Sequence, residues 1–252
     1  MRITRLYHSK ILSCGETTEL DADASNHLIR VLRTPIGSNI VLFSGDGFDY
    51  SCKTLNDHPK KTLLSVENKI EVKNESNLNI TLIQGLSRNE RMEVSIQKSV
   101  ELGVNRIIPT LCQRSNAKLS KEKLNKKLTH WRKVAISACE QSGRSVIPEI
   151  TEIISLKKFE KSTIQQLNQQ ALKVILAPDS DTSLKDIAFN NAENSGNTIE
   201  VFIGPEGGLN SHEIKLLENN QFKKIAFGPR ILRTETAGPA VISALQTLWG
   251  DF

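Results

Sequence analysis

The residues best suited to chemistry in this sequence lie in a glycine-rich loop at residues 204–208, GPEGG. The loop follows an apolar run and precedes a helical pattern that Asn210 or Ser211 can cap. Its glycines allow the backbone to approach a ligand closely. Glu206 would repel the oxygens of a pyrophosphate, and the loop matches neither the dinucleotide-binding motif nor the P-loop motif. The loop therefore fits a neutral or cationic ligand, unless it is a tight turn that binds nothing.

Two further loops have the same position relative to apolar runs. Residues 228–237, GPRILRTETA, follow the run 225–227 and combine two arginines, a carboxylate and two hydroxyls. Residues 177–179, APD, follow the run that ends at Leu176. Ligands of α/β domains bind at the carboxyl ends of strands, so the three loops can converge on one pocket.

The elements that must position these loops differ between the two ends of the chain. The first ~70 residues read as short strands with one short helix at 24–33, which is typical of a small β-barrel. Strands are predicted at 40–44, 48–55 and 63–66. The polar stretch 69–79 reads as a linker to a second domain.

From residue 75 onwards, strands and helices alternate, which predicts an α/β domain with a buried parallel sheet. Predicted strands lie at 80–83, 106–111, 174–176, 201–203 and 225–227. Ser87 and Glu90 have the spacing of a capping box and open a helix with Met92, Ile96 and Val100 on one face. A long helix follows at about 121–141, and Pro239 suits the first position of a last helix, 239–248.

Composition excludes several classes of protein. The chain has 252 residues, 38% of them hydrophobic, and no run approaches the ~20 apolar residues of a membrane helix. The basic start lacks the apolar block of a secretory signal, so a cytoplasmic location is expected. The cysteines form no CxxC pair and the histidines show no ligand spacing, so we expect no metal site and no disulfide framework.

The positive charge is concentrated in one block. The net charge is +5 for the whole chain but +8 for residues 84–146. The block is centred on Lys118, Lys121, Lys123, Lys126, Lys127, Arg132 and Lys133, most of which lie on the predicted helix 121–141. It is either a surface that faces phosphates or a solvated helix face.

Several segments together resemble one family. The runs IGPEGGLNSHEI and FGPRILRTETA resemble the cofactor loops of SPOUT-class RNA methyltransferases, and ERMEVSIQKSVELGV and ACEQSGR extend the match. RITRLYH and NHLIRVLR look like the PUA-like domain of the same group. Nearly the whole chain resembles the RsmE family of 16S ribosomal RNA uracil-N3 methyltransferases. Two positions depart from the pattern, since Asn89 replaces a common glycine and Asp179 lies in a variable loop.

The resemblance implies a PUA-like β-barrel at residues 1–70 and a SPOUT-type, trefoil-knotted α/β domain with a parallel sheet at 75–252. It also implies a homodimer that binds S-adenosylmethionine and acts on 16S ribosomal RNA or the small ribosomal subunit. The cofactor-binding positions carried over are Leu176, Ala177, Pro178, Gly204, Pro205, Glu206, Gly207, Gly208, Phe227, Gly228, Ile231, Leu232, Thr236 and Ala237.

The chemistry that this resemblance implies fits the loops. S-adenosylmethionine carries a sulfonium and no phosphate, and methyl transfer depends mainly on in-line alignment. The N3 proton of uracil must also leave, so Glu235 is a candidate base, and Arg233 and Arg114 are candidates to stabilise a uracil anion. The expected RNA-binding residues are Arg30, Arg33, Lys123, Lys126, Lys127 and Arg144.

Two other classes of function remain to be weighed. A non-catalytic RNA-binding module, such as a ribosome-assembly factor, would also have a barrel and a basic helix, but it has no use for two polar loops at strand ends. A nucleotide-dependent enzyme would be expected to carry a phosphate-loop lysine, which this sequence lacks. The loops therefore favour the methyltransferase.

Overall fold

The structure is a computed structural model that describes residues 3–115, 120–158, 170–187 and 197–252. The chain divides into two compact units. The first comprises Met1–Glu75 and Cys139–Ile147, and the second comprises Ser76–Ala138 and Pro148–Phe252. The boundaries predicted from the sequence assigned residues 139–147 to the second domain, whereas the structure packs this segment with the first unit.

The first unit is a curled sheet whose described strands follow the order β1-β3-β4-β5-β2. The strands are β1 (Arg5–Tyr7), β2 (Thr17–Glu19), β3 (Asn39–Phe43), β4 (Phe48–Thr54) and β5 (Leu63–Glu71). Helix α1 (Ala22–Asn26) begins at Asp21, whose side chain accepts the Ala24 N–H, and continues as a π-helical turn, His27–Val31. Leu28, Leu42 and Leu64 are fully buried in its core.

Strand β5 is longer than the sequence pattern predicted. It runs to Glu71 and pairs with β4 as far as Phe48, so residues 69–71 belong to the sheet and not to a linker. The Lys69 ammonium lies 3.8 Å from the centre of the Phe48 ring. This cation–π contact keeps a polar residue in register on the exposed end of the strand.

The segment 139–147 is bound to the sheet of the first unit by hydrogen bonds. Arg5 donates to the Cys139 carbonyl at 2.9 Å and forms an ion pair with Asp49 at 2.6 Å. The Glu140 carboxylate accepts the Tyr7 N–H at 3.0 Å. Burial raises the pKa of Glu140, because it removes water from the charged form.

Arg144 belongs to the same segment and is only 4% exposed. Its guanidinium donates to both carboxylate oxygens of Glu75, at 2.9 and 2.5 Å. The sequence analysis assigned Arg144 to an RNA-binding surface. Its burial and its fork-like pairing with Glu75 make it a structural residue of the first unit instead.

The second unit is built on a parallel sheet with the strand order β12-β10-β11-β6-β7-β8 in its described part, and β9 also pairs with β7. Every pairing in this sheet is parallel. The strands are β6 (Asn79–Gly85), β7 (Arg106–Leu111), β8 (Glu149–Ile150), β9 (Ile154–Ser155), β10 (Leu172–Leu176), β11 (Thr198–Ile203) and β12 (Lys223–Ile225). This architecture confirms the predicted α/β class.

The helices of this unit follow the predicted apolar faces. Met92, Ile96 and Val100 of α2 (Asn89–Glu101) are fully buried, and α2 packs against α5 (Thr234–Trp249). Helix α3 (Lys121–Ser142) buries the face that includes Trp131 and Ala135. Asn210 caps α4 (Ser211–Asn219) in a capping box with Glu213.

Helix α5 begins five residues before the predicted start. Its first residue is Thr234, and Pro239 therefore lies inside the helix. The Arg233 carbonyl accepts the N–H groups of Thr236 and Ala237, which closes the first turn ahead of the proline. Pro239 has no N–H to donate to the Glu235 carbonyl, so this turn of α5 lacks one backbone bond.

The four cysteines are free thiols. Cys14 is exposed and the other three are buried. Burial raises the pKa of Cys52 to about 12 and that of Cys139 to about 11, so both stay protonated at neutral pH. No helix among the described residues is long and apolar enough to cross a bilayer.

The burial of Arg144 generates a stability prediction. Replacing it in Arg144→Ala should lower the free energy of unfolding by about 3 kcal/mol, because Glu75 loses its charged partner. The matched control is Arg30→Ala, which removes an exposed arginine of the same unit and should leave stability within about 0.5 kcal/mol. Urea unfolding of both variants measures the difference. Equal stabilities would contradict a structural role for Arg144.

Candidate active site

A cavity of about 550 Å³ lies where strands β10, β11 and β12 end. The last residues of these strands, Leu176, Ile203 and Ile225, form its floor together with the three loops that follow. The other residues that line it are Arg91, Ala177, Pro178, Asp179, Gly204, Pro205, Glu206, Gly208, Leu209, Ile214, Phe227, Gly228, Arg230, Ile231, Leu232, Arg233, Thr234 and Ala237. The structure thus brings together the three loops that the sequence analysis singled out.

A buried chain of hydrogen bonds holds the glycine loop against helix α5. The Thr234 hydroxyl donates to the Gly204 carbonyl at 2.9 Å and accepts from Gln84 Nε2 at 2.9 Å. Gln84 Oε1 in turn accepts from the Ser95 hydroxyl at 2.8 Å. Because Gln84 is fully buried, each of these groups depends on its protein partners for hydrogen bonding.

Strand β6 approaches the same loop so closely that only glycine fits at its end. A Cβ at Gly85 would lie 2.5 Å from the Pro205 nitrogen and 2.8 Å from the Gly204 carbonyl carbon. Both of these atoms belong to the backbone and cannot move aside without shifting the loop. The end of β6 therefore fixes the position of residues 204–205.

Glu206 points from the glycine loop to the start of helix α2. Its carboxylate accepts the Arg88 N–H at 3.2 Å, and Arg88 is the N-cap residue of that helix. The capping box predicted for Ser87 and Glu90 is wrong, since the Ser87 hydroxyl is buried without a hydrogen-bond partner among the described residues. The N-terminus of α2 attracts an anion, and a carboxylate from another loop fills that position.

Arg91, in the first turn of α2, connects two carboxylates at the cavity wall. Its Nη1 lies 3.2 Å from Glu206 Oε1, and its Nε lies 3.8 Å from Glu235 Oε1. The side chains of Glu206 and Glu235 are 14% and 15% exposed. Glu235 Oε2 is buried without a hydrogen-bond partner in the described structure. The start of α2, the glycine loop and the first turn of α5 are therefore joined by the ion pairs of Arg91 with Glu206 and Glu235.

The structure separates the predicted catalytic residues. Arg233 lines the cavity, but its side chain is exposed and does not cap α5. Arg114 is exposed outside the cavity and donates to the Gly207 carbonyl at 3.2 Å. Glu235 is not among the cavity-lining residues and faces Arg91.

Twelve of the fourteen predicted cofactor-binding residues line the cavity, and Gly207 and Thr236 do not. A Cβ at Gly207 would lie 3.0 Å from the Arg114 Cβ, so this glycine permits close packing against Arg114. Gly208 and Gly228 have φ values of +68° and +75°, which glycine adopts without strain. Both of these residues line the cavity.

The predicted RNA-binding residues other than Arg144 have accessible side chains. Arg30, Arg33, Lys123 and Lys126 are exposed, and Lys127 is partly exposed. Lys126 pairs with Glu122 at 2.8 Å, an arrangement that a solvated helix face also shows. Lys118 and the side chain of Lys121 lie outside the described part of the chain.

The sequence predictions did not include Arg91 and Gln84 as site residues, and they counted Thr234 only as one of the two hydroxyls of loop 228–237. Arg91 lies within a helix and Gln84 within a strand, whereas the predicted site residues came mainly from strand-end loops. Gln84 did carry a signal, because this polar residue directly follows the apolar pair Leu82 and Ile83 at the end of a predicted strand. For Arg91, the sequence offered no signal apart from the position of this residue within the motif ERMEV.

Comparison with known proteins now defines the class. The RNA methyltransferase domain family matches residues 74–246, and the RNA methyltransferase PUA domain family matches residues 20–64. The protein is therefore an RNA methyltransferase with a PUA domain.

Curated relatives define the family more closely. Ribosomal RNA small subunit methyltransferase E of Buchnera aphidicola is 32% identical over 251 residues, which cover 100% of this chain and 96% of the relative. The protein of the same name from Bacillus subtilis is 30% identical, covering 91% and 90%. The chain belongs to the ribosomal RNA small subunit methyltransferase E family.

Solved structures agree with this assignment. The methyltransferase Lpg2936 from Legionella pneumophila, in complex with S-adenosylmethionine, is 35% identical, and the two chains superpose over their full lengths with a TM-score of 0.91. Ribosomal RNA small subunit methyltransferase E from Neisseria gonorrhoeae, bound to S-adenosylmethionine, is 36% identical with a TM-score of 0.89, again over both full chains. The likeness extends to both units of the fold. The trefoil knot that the resemblance implies stays a prediction.

The buried hydroxyl of Thr234 gives a second prediction. Thr234→Val preserves shape but leaves the Gly204 carbonyl without its donor, so unfolding free energy should fall by about 1–3 kcal/mol. Amide hydrogen exchange at residues 204–210 should accelerate, because the loop loses its link to α5. Thr234→Ser is the matched control, since it keeps the hydroxyl. If the valine and serine variants exchange alike, the hydroxyl does not hold the loop.

Proposed function

We propose that this protein transfers the methyl group of S-adenosylmethionine to N3 of a uridine in 16S ribosomal RNA. The observation that carries the proposal is the cavity formed by three strand-end loops. Two solved relatives of the same fold contain bound S-adenosylmethionine, which supports it. Ligands of α/β domains bind at this end of a sheet. The RNA substrate follows from the family, whose members are named for the small-subunit ribosomal RNA.

The residues around the cavity suit this cofactor. Its floor is apolar, with Leu176, Ile203 and Ile225, which matches an adenosine group. Gly228 leaves its backbone open to a ligand, because nothing lies within 4 Å of the position that a Cβ would take there. Among the described residues, the wall contains two carboxylates, Asp179 and Glu206, and no lysine, and its positive groups are the guanidinium groups of three arginines. We therefore assign the cavity-lining members of the predicted cofactor set to S-adenosylmethionine.

The cofactor supplies an electrophilic methyl group on a sulfonium. Bound in the cavity, it would give this methyl group to uracil N3, and the departing sulfur would keep the electron pair of the broken carbon–sulfur bond as a thioether. The N3 proton leaves to solvent, either directly or through a carboxylate. Glu235 was the candidate base, but its position beside Arg91 and outside the cavity lining favours a positioning role. Holding the two reactants in line accounts for much of the acceleration.

We propose that α3 binds RNA through Lys123, Lys126 and Lys127, and that the first unit has an RNA-binding surface of its own with Arg30 and Arg33. Their side chains are accessible, and the charge of residues 84–146 supports contact with phosphates. Arg144 is not part of this surface, because it is buried against Glu75. A non-catalytic RNA-binding module would not need the cavity, so the enzyme is the better explanation.

We further propose that the protein acts as a homodimer in the cytoplasm, where bacterial ribosomal RNA is made. The resemblance to the RsmE family supports the dimer. Exposed apolar side chains on α2 and α5, Val94 and Leu248, are compatible with it.

The direct test is methylation by the purified protein. Incubation with S-adenosylmethionine and small ribosomal subunits should produce N3-methyluridine in 16S RNA, detected by mass-spectrometric mapping. S-adenosylmethionine should also raise the melting temperature, with a stabilisation of about 2.7 kcal/mol at ~100 times its dissociation constant. ATP serves as the control and should give no shift. Tight binding of ATP without binding of S-adenosylmethionine would refute the proposal.

A separate prediction concerns the basic helix. Replacing Lys123, Lys126 and Lys127 with alanine should weaken RNA binding regardless of sequence and reduce the dependence of affinity on salt, because up to three phosphate contacts are lost. Affinity for S-adenosylmethionine should not change. Lys215→Ala and Lys223→Ala, on exposed or partly exposed positions of the second unit, control for the loss of positive charge. If the triple variant binds RNA as tightly as wild type, these lysines form only a solvated helix face and do not contact RNA.

A further inference from the structure

Among the cavity-lining residues, Arg91 is the arginine whose side chain is held by carboxylates of two other elements. Glu206 comes from the glycine loop and Glu235 from the first turn of α5, and both contact the same guanidinium. Arg91 is 38% exposed and lines the cavity, so it is fixed without being sealed off. Its Nη1 and Nε face the carboxylates.

A fixed cation suits transition-state stabilisation better than a mobile one. Donors that are already oriented stabilise developing charge without having to reorganise during the reaction. An exposed arginine loses side-chain entropy when it is ordered, and its charge is screened by water. Arg91 meets the first description, and Arg233 meets the second.

Loss of the N3 proton leaves negative charge on the uracil ring, shared with the carbonyl oxygens O2 and O4. We propose that Arg91 contacts the target uracil and stabilises this charge through its guanidinium N–H groups. The proposal rests on the proposed function, because it needs a uridine and its N3 methylation. It gives Glu206 and Glu235 the role of positioning residues, which act by orienting Arg91.

The charged groups around Arg91 come from each element packed against it. Glu206 lies on the loop after β11, Glu235 on α5 and Arg88 at the start of α2. Asp179, Arg230 and Arg233 line other parts of the same cavity. The group whose ionisation the proposal concerns is the uracil N3–H.

The test uses the full-length protein and compares Arg91→Met with Arg91→Lys. At saturating S-adenosylmethionine, Arg91→Met should lower the single-turnover rate by roughly 10²–10³-fold. Its dissociation constant for S-adenosylmethionine should stay within about threefold of wild type. Arg91→Lys should recover part of the rate, since it restores a positive charge but not the planar fork.

The decisive readout is rescue by a more acidic substrate. RNA transcribed with 5-fluorouridine has an N3–H that ionises more readily, because fluorine withdraws electrons from the ring. With this RNA, the deficit of Arg91→Met relative to wild type should shrink by about tenfold or more. The rate of Arg91→Met on ordinary RNA should also keep rising at alkaline pH beyond the point at which the wild-type rate levels off.

Three results would overturn the proposal. If Arg91→Met loses the same factor in rate on uridine and on 5-fluorouridine RNA, Arg91 serves only to hold Glu206 and Glu235 in place. A large loss of S-adenosylmethionine affinity would assign Arg91 to the cofactor, and an undiminished rate would remove it from the reaction. Lys98→Met removes a charge from the same helix, where Lys98 pairs with Glu101 at 2.9 Å, and should behave as wild type. Failure of the wild-type protein to form N3-methyluridine would instead refute the proposed function.

Discussion

The hydroxyl of Thr234 is the contact on which the geometry of the active site depends. It is buried, it donates to the Gly204 carbonyl, and it accepts from Gln84, so it joins the ends of β6 and β11 to the start of α5. A hydroxyl can satisfy both neighbours at once because it is both donor and acceptor. Because Gln84 and Thr234 are buried, any shift of one element would leave one of these groups without a partner, and this cost fixes the loop.

Charged contacts then extend this arrangement outward from the buried hydroxyl. Once Gly204 is fixed, Glu206 reaches the N-terminus of α2 and Arg91. Once α5 begins at Thr234, Glu235 faces the same arginine. A neutral hydrogen-bond chain therefore sets the backbone, and a carboxylate–arginine–carboxylate group sets the cavity wall. The two layers together explain why residues far apart in sequence share one pocket.

The sequence predicted the elements better than the contacts between them. Periodicity at Met92, Ile96 and Val100 identified the buried face of α2, and the glycine-proline motifs identified the loops of the cavity. Local rules failed where a distant residue replaced a local partner. Ser87 has the spacing of a capping residue, but the Glu206 carboxylate accepts the N–H at the start of α2 instead. Pro239 suits a helix start, but α5 begins five residues before it, at Thr234, whose hydroxyl is bonded to Gln84.

The arginines show the same limit in the assignment of function. Arg233, Arg114 and Arg144 were selected because they lie in or beside recognisable motifs. In the structure, Arg233 lines the cavity with an exposed side chain, Arg114 is exposed outside the cavity, and Arg144 is buried against Glu75. The position of an arginine beside a sequence motif indicates that its side chain can reach the site. It does not indicate which contacts would hold the side chain there. Arg91 has two carboxylates that restrict it, so its charge is available in one orientation. For a reaction that places negative charge on a planar base, that restriction separates a catalytic arginine from a nearby one.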